Sequence, residues 1–215
     1  MKLHLGCGQR HLEGYLNIDF PLSSHTAQTT SVADLHADIT TLCYPAQSVE
    51  EVRLHHVFEH FPRPVACGLL ACWFSWLRPG GVLHLEVPDF SRTATAILNP
   101  FNSFRKRAVA ERHLFGSHEA SWAVHREGYT PAMLKTMLAQ FGFHAASVTK
   151  NSWRGTFNVE VVCSRAAGSP TKAEFVPRAA GYLQNFLVDS GASEMLIHAV
   201  WMASFSEQLE KGWAR

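Results

Sequence analysis

The sequence predicts an α/β domain built on a doubly wound, mostly parallel sheet. Three observations predict it. Through residues 2–90, short apolar strands alternate with turns and an amphipathic helix, the rhythm a parallel sheet requires. The first strand runs into a Gly-x-Gly turn, Gly6-Cys7-Gly8. The second strand ends in a carboxylate, Asp19.

The opening strand spans Lys2-Leu3-His4-Leu5 and delivers the chain directly to Gly6 and Gly8. Glycines there let a ligand approach the backbone where a Cβ would collide. Eleven residues after Gly8, the strand Leu16-Asn17-Ile18 presents Asp19, whose carboxylate can accept from both hydroxyls of a ribose. A glycine pair and a carboxylate at two successive strand ends form an adenosine-binding arrangement. His11 stands where G-x-G-x-x-G has its third glycine, the one that packs helix on strand beneath a pyrophosphate. No Gly-Lys-Ser/Thr follows, which excludes a phosphate-cradling P-loop. Residues 9–15 have room for one or two helical turns, not for the long first helix of a dinucleotide fold. The pattern therefore favours an adenosine cofactor without phosphates, S-adenosylmethionine (SAM).

Further along, Ala37-Asp38-Ile39 offers an acceptor for an exocyclic amine and an apolar face for an adenine ring. Val52-Arg53-Leu54-His55-His56 reads as a strand. An amphipathic helix fits residues 65–77 and meets a stop signal at Arg78-Pro79-Gly80-Gly81. Residues 82–89 form another strand, closed by Pro88. Residues 91–128 break the rhythm, with Asn99-Pro100, a basic run at Arg105-Lys106-Arg107, and Trp122. Residues 129–163 resume it. Thr130 is an N-cap with Pro131 at the first helical position, and Met133, Leu134, Met137, Leu138 and Phe141 recur at helical spacing before Gly142. Residues 144–149 and 157–163 read as a hairpin-like pair of strands at the sheet edge. Residues 164–171 are linker-like, and helices are expected at about 178–188 and 193–211.

Four ordered motifs carry a family resemblance: Leu5-Gly6-Cys7-Gly8 with Gly14-Tyr15-Leu16-Asn17-Ile18-Asp19, then His56-Val57-Phe58-Glu59-His60, Leu77-Arg78-Pro79-Gly80-Gly81, and Val87-Pro88-Asp89. Over roughly residues 2–163 the chain resembles the class I SAM-dependent methyltransferases. The resemblance implies a Rossmann-like, doubly wound, seven-stranded and mostly parallel sheet with an antiparallel last strand. It divides the chain into a SAM-binding domain, residues 1–163, and a C-terminal helical extension, residues 164–215. It implies SAM as methyl donor and S-adenosylhomocysteine as product. The cofactor contacts it implies are Leu5, Gly6, Cys7 and Gly8 at the first turn, Asp19 on the ribose, Asp38 and Ile39 around the adenine, and His55 and His56 beside the transferred methyl. The motifs say almost nothing about the acceptor. Relatives of this branch work in cell-surface sugar and secondary-metabolite pathways, so a small-molecule hydroxyl is the expected acceptor.

Methyl transfer needs the acceptor in line with the sulfonium, reacting atoms about 3–3.5 Å apart and water excluded. With the first strand beginning at residue 2, the cover is expected from residues 91–128, from the C-terminal helices or from a second subunit. Residues 91–128 are the expected lid; the plainer alternative is that they only pack on the sheet edge. The last helix carries Met195, Leu196, Ile197, Ala199, Val200, Trp201, Met202, Phe205 and Leu209 around most of its circumference. A surface helix would show a narrower stripe, so this one is expected to be sandwiched within the subunit or buried in a homodimer.

Histidines dominate the remaining chemistry. His56-Val57-Phe58-Glu59-His60 matches H-x-x-E-H, an inverted zinc-hydrolase motif. Its context opposes that reading: His56 ends a strand, and Phe61-Pro62-Arg63-Pro64 forbids continuing a helix. A divalent ion held by His56, Glu59 and His60 near the acceptor is a second reading and not the favoured one. In the third, His55 and His56 supply backbone contacts while Glu59 and His60 form a structural pair. His125, ahead of the Thr130 helix, is the candidate general base if the acceptor is a hydroxyl, its unperturbed pKa suiting the task; its other role would be to tie the lid to the sheet. His113 and His118 are read as lid surface. Arg105, Lys106 and Arg107 are read as a solvated helix face, with a substrate phosphate as the alternative. A methyltransferase-like subunit that binds without turnover is the alternative function.

Composition bounds the rest. A chain of 215 residues, 47% apolar, builds one real core. A net charge of +1 leaves no nucleic-acid footprint, and no apolar run is long enough to span a membrane. The start reads as a core strand and not as a secretory signal. Five cysteines without C-x-x-C spacing read as reduced and structural, which points to the cytoplasm.

Overall fold

The computed structural model describes residues 1–24 and 29–214. Seven strands form one sheet: β1 (Lys2–Leu5), β2 (Leu16–Asp19), β3 (Leu35–His36), β4 (Val49–His55), β5 (Leu77–Pro88), β6 (Phe143–Trp153) and β7 (Thr156–Arg165). Their order is β3-β2-β1-β4-β5-β7-β6. The first five strands run parallel to one another, and β7 lies antiparallel between β5 and β6. This is the Rossmann-like class I methyltransferase fold with its antiparallel last strand. The helices are α1 (Arg63–Trp76), α2 (Phe90–Leu98), α3 (Phe104–Phe115), α4 (Pro131–Gln140), α5 (Lys172–Gln184) and α6 (Ala192–Gly212).

The central strands bury one face completely, and the other carries the polar row His4, Arg53 and His84. Leu3, Leu5, Val52, Leu54, Leu83 and Leu85 share the first face and are all fully buried. Helix α1 is buried at every residue from Ala66 to Trp76, because α5 and α6 lie on its outer side. Gly68 makes that possible: a Cβ there would stand 2.7 Å from Gln208 Cβ. The edge hairpin of β6 and β7 closes through Arg154 and Gly155, both at positive φ, the two-residue turn whose twist matches the strands. Thr130 caps α4, its Oγ1 accepting from Met133 N–H at 3.1 Å.

Several elements differ from the sequence reading. Residues 9–15 hold no helix; they turn through Arg10 N–H to Cys7 O (2.9 Å) and Tyr15 N–H to Leu12 O (3.3 Å). Strand β3 has only two residues, too few to leave a periodic pattern. Strand β5 begins at Leu77, which pairs with Val49, and the Arg78-Pro79-Gly80-Gly81 segment bulges out before pairing resumes at Val82. Residues 91–128 do not break the α/β alternation at once, since Asp89 caps α2 and Ser103 caps α3. Helix α5 starts at Lys172, not at 178, because Thr171 and Glu174 form a capping box and Pro177 is carried inside the helix. Strand β7 runs two residues past the expected boundary at 163.

The C-terminal helices do not cover the cleft at the strand ends. The second half of α6, with Phe205, Gln208 and Leu209 buried, packs on α1. Its first half leaves Met195, Leu196, Ile197 and Val200 exposed.

Candidate active site

The carboxyl ends of β1, β2 and β4 open into a cavity of about 570 Å³, the position where open α/β sheets take ligands. Gly6 and Gly8 line it with positive φ, +70° and +56°. A Cβ on Gly6 would meet Val57 Cγ2 at 2.4 Å, so the turn closes against the segment after β4 only as glycine. Asp19 reaches back to this turn. Its Oδ2 accepts from Gly8 N–H at 2.5 Å and its Oδ1 from Phe20 N–H at 2.7 Å. The two bonds fix the carboxylate at the cavity wall.

Asp38 and Ile39 line it as well, beside Asp19, whose carbonyl accepts from Ala37 N–H at 2.9 Å. Asp38 Oδ1 accepts from Thr40 N–H and from Thr40 Oγ1–H, both at 2.8 Å, and so caps the single turn at Ile39–Thr41. That turn is braced from behind by α6, Gln208 Nε2–H donating to Thr40 O at 2.9 Å. Leu5 and Cys7 do not line the cavity. Leu5 is buried within β1, and the Cys7 thiol is buried beneath the turn. Burial first, and the nearby Asp19 charge second, push that thiol up to about 11.

His55 and His56 line the cavity at the end of β4. Arg53 Nε–H donates to His55 Nε2 at 2.7 Å. His56 has φ +54°, uncommon for a side chain other than glycine, and its backbone N–H bonds Glu86 O at 2.8 Å. Its ring bridges two carboxylates, Nδ1 to Glu59 Oε1 at 3.4 Å and Nε2 to Glu86 Oε1 at 3.2 Å. Burial works against charge on this imidazole, but the Glu59 and Glu86 bonds win and hold its pKa up at about 10. Glu86, bonded to His55 and His56, is held far below the usual carboxylate range.

The turn Phe58–His60 is a single 3-10 turn, not an α-helix. His56 and His60 therefore share no helical face, and the H-x-x-E-H hydrolase geometry does not form. Residues 116–128 lock onto this turn from above. Arg126 and Glu127 N–H both donate to Glu59 O, at 2.8 and 3.2 Å. A small loop, bridged between Gly116 and Val124, brings His125 beside Glu59 and His60. Gly116 is required there, since a Cβ would lie 2.2 Å from Ala123 O. His125 Nε2 lies 3.8 Å from Glu59 Oε1, and the His60 and His125 rings meet edge to face at 4.7 Å.

The same segment supplies Ser121, Trp122 and Arg126 to the wall of the first cavity. Trp122 Nε1–H donates to Ser24 O at 2.8 Å, joining this segment to the loop after β2. Beyond it lies a second cavity of about 380 Å³, which shares His56, His60 and Trp122 with the first and adds Arg112, His113, His125 and Trp153. His113 faces this cavity and is not plain lid surface; its Nε2 lies 2.9 Å from Asn158 Oδ1. Burial lowers the pKa of both His113 and His125, leaving neutral rings. His118 is exposed, and so are Arg105 and Lys106, on α3. Sequence reasoning passed over Glu86. Its signal was present, a lone carboxylate in the apolar run Val82-Leu83-His84-Leu85-Glu86-Val87.

The sequence matches no protein-family model and no curated protein. Solved structures do match. One is the putative methyltransferase in complex with the Trm112 methyltransferase activator from Haloferax volcanii, at TM-score 0.54 and 14% identity, covering 79% of this chain and 83% of that one. Another is 1,6-didemethyltoxoflavin-N1-methyltransferase from Burkholderia thailandensis, with its substrate and S-adenosylhomocysteine bound, at TM-score 0.52 and 11% identity, covering 77% and 71%. A third is a SAM-dependent methyltransferase from Methanosarcina mazei, at TM-score 0.50 and 14% identity, covering 78% and 92%. At these identities the likeness concerns the fold.

Proposed function

We propose that this chain is a SAM-dependent methyltransferase acting on a small-molecule acceptor. One observation carries the reading: a cavity at the carboxyl ends of β1, β2 and β4, lined by the glycine turn, Asp19, Asp38 and Ile39. It accommodates an adenosyl group and provides no helix N-terminus for a pyrophosphate after Gly8, because residues 9–15 are non-helical. Methyltransferases of the same fold bind SAM or its product, which supports the assignment of the cofactor.

Each residue then has a task. Asp19 accepts from the ribose hydroxyls, Asp38 from the adenine amine, and Ile39 packs on the ring. Gly6 and Gly8 let the methionine part lie on the backbone. The transferred methyl points past His55 and His56 into the second cavity, where the acceptor sits. The segment of residues 116–128 acts as lid, with Trp122 between the two chambers. Alignment of acceptor and sulfonium supplies most of the rate. His125, kept neutral by burial, takes the proton of a hydroxyl acceptor as the C–O bond forms and the C–S bond breaks. The exposed apolar residues in the first half of α6 join two chains in a homodimer.

Titration calorimetry with SAM and S-adenosylhomocysteine tests the reading. Wild type should bind both, and Asp19→Ala should lose most of the affinity. Absence of heat with wild type refutes the proposal.

A further inference from the structure

We propose that Glu59, His60 and His125 form a site for a divalent transition-metal ion of the zinc class. The three residues each present one ligand atom, all within 4.8 Å of one another. Two imidazoles and one carboxylate are a common zinc set with an open fourth position, and imidazole suits zinc among the available divalent ions.

Glu59 points to a ligand by itself. Its side chain is 1% exposed, yet among the described residues only Oε1 meets partners, and both are imidazoles. Oε1 has imidazoles at 3.4 Å (His56) and 3.8 Å (His125). Among the described residues Oε2 has no hydrogen-bond partner. A buried carboxylate oxygen left in that state is costly, and a bound cation would satisfy it.

The imidazoles are oriented for the same purpose. His60 Nδ1 lies 3.2 Å from Val124 O. A carbonyl only accepts, so Nδ1 carries the hydrogen and the lone pair of the neutral ring is on Nε2. Fixing a ligand histidine by a backbone carbonyl on its other nitrogen is the usual outer-sphere arrangement at metal sites. His125 turns Nε2 toward Glu59. The turn and the loop that carry these ligands are clamped together by the Arg126 and Glu127 N–H bonds to Glu59 O. Ligand atoms about 2.1 Å from one ion stand about 3.4 Å apart at tetrahedral angles. The 3.8 Å between His125 Nε2 and Glu59 Oε1 is a few tenths of an ångström from that. His60 and His125 both line the second cavity, so the open position is reached from there.

The proposal does not depend on the methyltransferase reading, an ion on His125 Nε2 takes the place of the base role given to that ring there, and the test uses no cofactor. Purified full-length protein, stripped with a chelator, is titrated with Zn²⁺ against a chromophoric zinc chelator, and separately with Co²⁺ while visible absorption is recorded. One ion per chain is expected, with the intense visible bands of a four- or five-coordinate Co²⁺ site. His60→Ala and His125→Ala should each weaken Zn²⁺ binding by about 100-fold. Glu59→Gln should do the same; if that buried variant fails to fold, the two histidine variants decide. His144→Gln, on exposed edge strand β6, should bind as wild type. Failure to saturate at one ion per chain, or saturation unaffected by His60→Ala and His125→Ala, overturns the proposal.

Discussion

His56 Nε2 lies 3.2 Å from Glu86 Oε1, tying the residue after β4 to a carboxylate on the neighbouring strand β5. The pair makes stability depend on pH on two sides. His56 is raised from 6.5 to about 10, so its contribution is fully present below pH 6.5 and is lost as pH rises through about 10. Glu86 is depressed from 4.5, so its contribution is present above pH 4.5 and is lost in acid. Urea midpoints measured between pH 6.5 and about 10 should fall for wild type and fall much less for His56→Gln. Parallel curves for the two proteins would show that His56 is not charged in the folded state.

Gly6 separates two costs that are usually confounded. At φ +70° any side chain is strained, and here a Cβ would also strike Val57 Cγ2 at 2.4 Å. Gly14 has φ +79° with nothing within 4 Å of its Cβ position. Gly14→Ala should therefore cost about 1–2 kcal/mol from the backbone alone. Gly6→Ala should cost about 1–3 kcal/mol more. Denaturant midpoints of the two variants measure the difference, and equal losses would mean that Val57 yields freely.

These positions also show what was legible in the chain. Gly6, Gly8, Asp19, Asp38 and Ile39 announce themselves because residues close in sequence to strand ends meet at one edge of a parallel sheet. Thr130 and Pro131 likewise state their own helix start. The pairing of β3 with β2 rests on two residues and leaves no period to read. Pro177 reads as a boundary, yet the capping box at Thr171 and Glu174 starts α5 ahead of it. The junction of Glu59, His60 and His125 depends on two backbone bonds from residues 126 and 127 to Glu59 O, which span more than sixty positions in sequence. No local pattern encodes such a contact.

Trp122 gives the proposed lid a measurable anchor. Its indole N–H bonds Ser24 O at 2.8 Å, and its ring lies at the wall shared by the two cavities. Trp122→Phe keeps most of the ring and removes the bond; Trp122→Ala removes both. If the segment covers bound cofactor, S-adenosylhomocysteine affinity should fall about 5-fold in the first and about 50-fold in the second, in line with one hydrogen bond and then buried aromatic area. Calorimetry on the two variants checks the order. Wild-type affinity in Trp122→Ala would assign residues 116–128 to sheet-edge packing alone.

The five thiols should divide sharply under alkylation. Burial pushes Cys7 up to about 11 and Cys163 up to about 12, and raises Cys67 and Cys72 further still. Only the thiolate reacts, so at pH 8 these four are almost entirely unreactive, and burial blocks access as well. Cys43 is exposed. Iodoacetamide at pH 8 should give one adduct per chain, located at Cys43 by peptide mass spectrometry. Cys7 is the informative site, because its thiol sits under the glycine turn that lines the first cavity. A Cys7 adduct forming as fast as that at Cys43 would mean that the turn opens readily in solution, and S-adenosylhomocysteine should then suppress it.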